Sequence, residues 1–163
     1  MIKRVLLITI IIIIFFIQIV TANTVALFGI GIGQSYGGWF AGASTEIKFK
    51  NIVSLGGGLG TTLNTYTDAM PFLIGWEVFA KVYSIDAPTF NLSDCAKIYL
   101  EGGYGVSKFD PENSLKGFFA LVGYSAYENK QYIDIGLGVG LIPSAPFITF
   151  NFGFGWIIDL FAK

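Results

Sequence analysis

Histidine is absent from the 163 residues. Without it the usual general base of Ser-His, Cys-His and Asp-His arrangements is missing, as is the commonest metal ligand, so no catalytic, metal or cofactor site is expected. Cysteine occurs once, as Cys95; one thiol cannot form an intrachain disulfide, and it reads as an incidental loop residue. Charge is scarce: 13% of residues are charged and the formal net charge is -1, with no basic surplus that would suit a nucleic acid. A helical membrane protein would carry several long apolar runs, and this chain has a single one.

That run stands at the start. Lys3 and Arg4 precede an almost unbroken Ile/Leu/Phe stretch from Val5 to Val20, followed by Thr21, Ala22 and Asn23. A basic region, an apolar region and small residues at a cleavage point are the parts of a secretory signal peptide. The expectation is therefore a leader at 1–22, cleaved after Ala22, and one domain at 23–163. A retained anchor helix is the alternative, although the run falls short of the ~20 residues that span comfortably.

Apolar residues, glycine and aromatic side chains are plentiful: 53% hydrophobic, 21 glycines and 17% aromatic. The last stretch, Phe147 to Phe161, shows how they are arranged. Ile148, Phe150, Phe152, Phe154, Trp156 and Ile158 fall on one parity; Thr149, Asn151, Gly153 and Gly155 fall on the other. Alternate residues of a strand face opposite ways, so one face is greasy and the other small and polar. Nearly every earlier segment of about ten residues repeats the pattern. Eight such stripes would overfill the interior of a small barrel, so the bulky face is expected to point outward, toward lipid.

The eight segments are Thr24–Gln34, Trp39–Lys50, Ile52–Asn64, Phe72–Tyr83, Ala96–Lys108, Gly117–Tyr127, Tyr132–Ile142 and Phe147–Phe161. An even count returns both ends to the same side. In the sixth, Phe118, Phe119, Leu121 and Val122 occupy both parities and leave its facing ambiguous. The connection from Ser84 to Cys95 is longer than the pattern expects on the side of the termini.

In this register Glu46, Lys48, Glu77, Lys81, Lys97, Glu101 and Asp134 all point inward. A one-residue slip would turn a strand's charges into lipid, at ~2–4 kcal/mol for a midplane lysine. Unpaired buried charge is costly, so a paired network among the glycines is expected. Glu77 and Glu101 could alternatively serve as an acid–base pair, but carboxylates accompanied by lysines are more simply structural. Trp39, Phe49, Tyr66, Phe72, Tyr83, Tyr127, Tyr132 and Phe147 lie near strand ends and suit two interfacial belts, with ordinary packing as the alternative. None of the glycine runs has phosphate-loop spacing.

The pattern as a whole resembles the small outer-membrane barrels of the OmpA transmembrane-domain and OmpX kind. Its most specific piece is Asn151, Gly153, Trp156 and Ile158, which is similar to the C-terminal signal read by the outer-membrane assembly machinery. That family usually ends on an aromatic residue, whereas this chain runs on to Ala162 and Lys163. The resemblance implies an all-β, eight-stranded antiparallel up-and-down transmembrane barrel in the outer membrane of a diderm bacterium. It further implies lipid and the assembly machinery as partners, a monomer, and a non-enzymatic role in envelope structure or surface interaction. A narrow channel for small solutes or ions is one alternative reading. A secreted, lipocalin-like barrel binding an apolar ligand is another.

Overall fold

The computed structural model describes residues 24–34, 37–63, 72–89, 93–108, 114–141 and 146–160. The leader at 1–22 lies outside them, as does Tyr66. Eight strands follow in order: β1 (Thr24–Gly33), β2 (Gly38–Phe49), β3 (Val53–Leu63), β4 (Phe72–Asp86), β5 (Cys95–Lys108), β6 (Ser114–Glu128), β7 (Gln131–Leu141) and β8 (Pro146–Asp159). Each pairs antiparallel with the next, and β8 returns to β1 through a register running from Val25 opposite Asp159 to Gly33 opposite Asn151. The sheet is a closed barrel without edges.

Two hairpins on the side of the termini are tight. Asn129 and Lys130 (φ 45° and 67°) join Glu128 to Gln131, and Lys50 and Asn51 (φ 51° and 57°) link β2 to β3. Two successive left-handed residues make the turn whose twist matches the flanking strands, and asparagine tolerates that conformation best among non-glycine residues. The connection from β4 to β5 is shorter than the sequence suggested. A register shift between Tyr83 and Ile85 lets β4 continue to Asp86, and Cys95 is the exposed first residue of β5, not part of a loop.

Parity separates the two faces throughout. Outward residues such as Leu59 (64% exposed), Ile74, Leu100, Leu137 and Ile148 (75% exposed) form an apolar surface that continues around the barrel, while Glu46 and Lys48 of β2, Glu77 and Lys81 of β4, Glu101 of β5 and Asp134 of β7 turn in. The ambiguity in β6 is resolved by its pairing. Phe119, Leu121, Ser125 and Tyr127 are buried inside, and Phe118 and Val122 are exposed outside.

The interior is more aromatic than the inward glycines suggested. Leu27, Tyr83, Tyr99, Tyr127 and Tyr132 form one buried cluster; Phe79, Phe119 and Leu121 form a second. Tyr83, Tyr127 and Tyr132 therefore do not belong to interfacial belts, and neither does Phe147, whose ring lies over Gly140. The reason is parity: Tyr83 shares the face of Lys81, and Tyr127 that of Ser125. The glycines make this possible, since Gly56 stands directly opposite Phe79, Gly103 opposite Phe119, Gly123 opposite Tyr99 and Gly155 opposite Tyr132. A Cβ on Gly56 would meet the Phe79 ring at 2.5 Å, so each ring lies flat in the slot that its glycine leaves.

The charged interior as candidate functional site

Lys81 of β4 organises the middle of the barrel. Its Nζ lies 2.6 Å from Asp134 Oδ2 on β7, 3.2 Å from Glu46 Oε2 on β2 and 3.7 Å from Glu101 Oε2 on β5. All four side chains are almost fully buried. Neighbouring hydroxyls complete the carboxylates: Ser125 Oγ donates to Asp134 Oδ1 at 2.8 Å and the Tyr83 hydroxyl donates to Glu46 Oε1 at 2.6 Å. Buried carboxylates hold their charge only with such partners. The Lys81 ammonium also lies 4.7 Å from the centre of the Tyr99 ring.

Lys48 sits nearer the termini. It has no carboxylate within salt-bridge distance among the described residues; its Nζ donates to the Tyr127 hydroxyl at 2.8 Å and stands 3.9 Å from the Tyr83 ring centre. Aromatic faces are negative, so they partly replace the water that burial removed. Asn151 Nδ2 of β8 donates to the Tyr99 hydroxyl of β5 at 3.0 Å. Toward the opposite end, Glu77 accepts from the Gly37 backbone N–H at 3.0 Å and from Gln34 Nε2 at 3.2 Å.

The seven charged residues singled out from the sequence are thus divided. Glu46, Lys81, Glu101 and Asp134 meet in one cluster. Lys48 is held by tyrosines and Glu77 by neutral donors. Lys97 stands apart, pairing at 2.7 Å with the largely exposed Asp86 beside the β4–β5 connection. Of the terminal-strand residues, Asn151 and Gly153 face in, and Trp156 and Ile158 face out. Sequence reasoning missed Tyr83, Tyr99, Tyr127 and Ser125 as partners, although their parity placed them inside. It also missed Gln34, the last residue of the first segment and on the parity of Ile32: β1 ends at Gly33, where the register shift and the bend turn Gln34 inward instead.

Chemically the interior holds one ion-paired cluster around Lys81, with Lys48 and Glu77 each served by neutral groups. Glu77 and Glu101 have separate partners, and among the described residues no group of three or more His, Cys, Asp or Glu side chains is placed to hold a metal ion. Side chains cross the lumen at several levels: Lys81 to Asp134 joins β4 to β7, Lys48 to Tyr127 joins β2 to β6, and Asn151 to Tyr99 joins β8 to β5.

No family model matches the chain, and no curated protein matches it. Among solved structures it is similar to the N-terminal β-barrel domain of Pseudomonas aeruginosa OprF, with a TM-score of 0.58 and 12% sequence identity over 83% of this chain and 98% of that one. At that identity the likeness is one of fold. The fold is that of the OmpA-like eight-stranded antiparallel barrels, in agreement with the alternating segments of the sequence.

Proposed function

We propose, from the barrel fold shared with the OprF domain, that this chain is an integral outer-membrane protein without enzymatic activity, contributing to envelope structure or surface interaction. One observation carries the reading: every strand turns large apolar side chains away from the barrel axis, where they are exposed, while carboxylates and ammonium groups are buried inside it. Water would not tolerate so extensive an apolar surface, and acyl chains would. A lipocalin-like barrel needs the opposite arrangement, with an apolar cavity within.

On this reading the leader at 1–22 directs export and is removed, Asn151, Gly153, Trp156 and Ile158 engage the assembly machinery, and the mature chain works as a monomer surrounded by lipid. The side chains that span the lumen favour a resting state without an open pore. Membrane fractionation and gel migration before and after heating test this together. The folded protein should stay with detergent-soluble membrane material and migrate differently unheated. Recovery from the aqueous phase without detergent would remove the basis for the proposal.

A narrow path for ions is the second reading, because buried charge crossing a lumen costs stability that a purely apolar filling would not. Planar-bilayer recordings separate the two: a structural barrel stays silent, whereas a channel shows discrete steps.

A further inference from the structure

We infer that Gln34 is a closure at the end of the barrel remote from the termini, in series with the Lys81 cluster, and that Glu77 behind it makes the path selective for cations.

Gln34 follows Gly33, whose φ of 97° and close approach to the backbone of β8 turn the chain; a Cβ there would lie 2.8 Å from Asn151 Cα. A register shift between Gly31 and Gly33 marks the same bend. On the other side Gly37, with φ 69°, lies against β3, where a Cβ would meet Gly60 N at 2.8 Å. Only glycine fits either position. Between them the Gln34 amide reaches across the lumen. Its Nε2 donates to Glu77 Oε2 on β4 at 3.2 Å, and its Oε1 accepts from Thr149 Oγ1 on β8 at 3.1 Å. In a closed ring of eight strands β4 and β8 are four steps apart either way round, so they are opposite walls. A solute following the axis has to pass this amide.

The two barriers differ in kind. The Lys81 cluster is ion-paired, but the hydrogen bonds Gln34 makes are to a hydroxyl and to a carboxylate that has no salt bridge among the described residues. Rotation of one side chain breaks both, and water can replace each. Glu77 is then left on the wall with only the Gly37 N–H. A carboxylate at a constriction favours cations, and the buried interior reinforces it: Glu46, Glu77, Glu101 and Asp134 outnumber Lys48 and Lys81.

The inference rests on the membrane reading and on the narrow ion path given above as the second reading, and its test separates its own failure from that of the membrane reading. The full-length protein is reconstituted into planar bilayers, with the heat-dependent gel shift as the check on folding. Adding Gln34→Ala to an Asp134→Asn background should raise the open probability about tenfold, since two hydrogen bonds are lost. The openings should pass potassium in preference to chloride, and adding Glu77→Gln should bring the two permeabilities together. A double variant that shows the gel shift but conducts no more than Asp134→Asn overturns the inference alone, as does preference for chloride. Recovery in water without detergent overturns the membrane reading and this inference with it.

A second measurement leaves the Lys81 cluster intact. Gln34→Cys in a Cys95→Ala background is treated with cationic and anionic thiosulfonates of equal size. The cationic reagent should react several-fold faster, and Glu77→Gln should abolish the difference. Equal rates with Glu77 in place, or no reaction with either reagent, count against the assignment.

Discussion

Lys48 on β2 donates to the Tyr127 hydroxyl on β6 at 2.8 Å, joining strands that stand four apart in the ring. Its partners are aromatic: the ammonium lies 3.9 Å from the Tyr83 ring centre and 4.1 Å from that of Tyr127. Tyr127→Phe keeps the ring and removes the acceptor. It should cost ~1.5–3 kcal/mol, the range for a hydrogen bond from a charged donor, and adding Lys48→Met should recover part of the loss because no ammonium is then left short of a partner. Urea unfolding in detergent, with all three variants compared, gives the answer. A neutral Tyr127→Phe would mean that water serves Lys48 instead.

Lys81 and Lys97 share a strand-pair face and a charge, yet their substitution should have unequal effects. Lys81→Met leaves Glu46, Glu101 and Asp134 facing one another in a buried site and should destabilise by ~3–5 kcal/mol. Lys97→Ala breaks a pair whose Asp86 side chain is 88% exposed, worth ~0–1 kcal/mol. The same denaturant titration measures both, and equal losses would contradict the division of the charges described above.

The glycine slots can be tested by filling one. A Cβ on Gly123 would collide with the Tyr99 ring, which is itself tied to Asn151, so Gly123→Ala should cost ~1–3 kcal/mol through overpacking. Gly102 is exposed, with its nearest neighbour for a Cβ the Phe119 carbonyl at 3.8 Å, so Gly102→Ala should change stability by less than ~0.5 kcal/mol. If both variants behave alike, the rings do not depend on the slots.

The outward face gives a prediction that separates lipid from water. Val78 lies near the middle of β4 and is 54% exposed. Val78→Lys should destabilise the barrel in bilayers by ~2–4 kcal/mol. On a soluble protein the same exposed substitution would change stability little, and that outcome would count against the membrane.

Lys130 occupies the second left-handed position of the β6–β7 turn, with φ 67°. Glycine suits that position, and the exposed 3.4 Å pair that Lys130 makes with Asp159 contributes little. Lys130→Gly should therefore stabilise by ~0.5–1 kcal/mol, read as a higher urea midpoint at unchanged slope.

Most strands and the facing of their apolar and charged residues are legible in the chain's alternation, because a period of two is written in side-chain size. Ile133, Ile135, Leu137 and Val139 against Asp134, Gly136 and Gly138 leave one register that keeps charge out of an apolar surround. Where both parities carry bulk, as at Phe118 and Phe119, that information ran out, and cross-strand pairing supplied it. Which side chains meet inside follows from closure of the sheet. Lys81 with Asp134, Lys48 with Tyr127 and Gln34 with Thr149 are 53, 79 and 115 residues apart in the chain, and they meet only because closure and stagger bring distant strands to one level. Local alternation says which way a side chain looks; the geometry of the closed sheet says what it finds there.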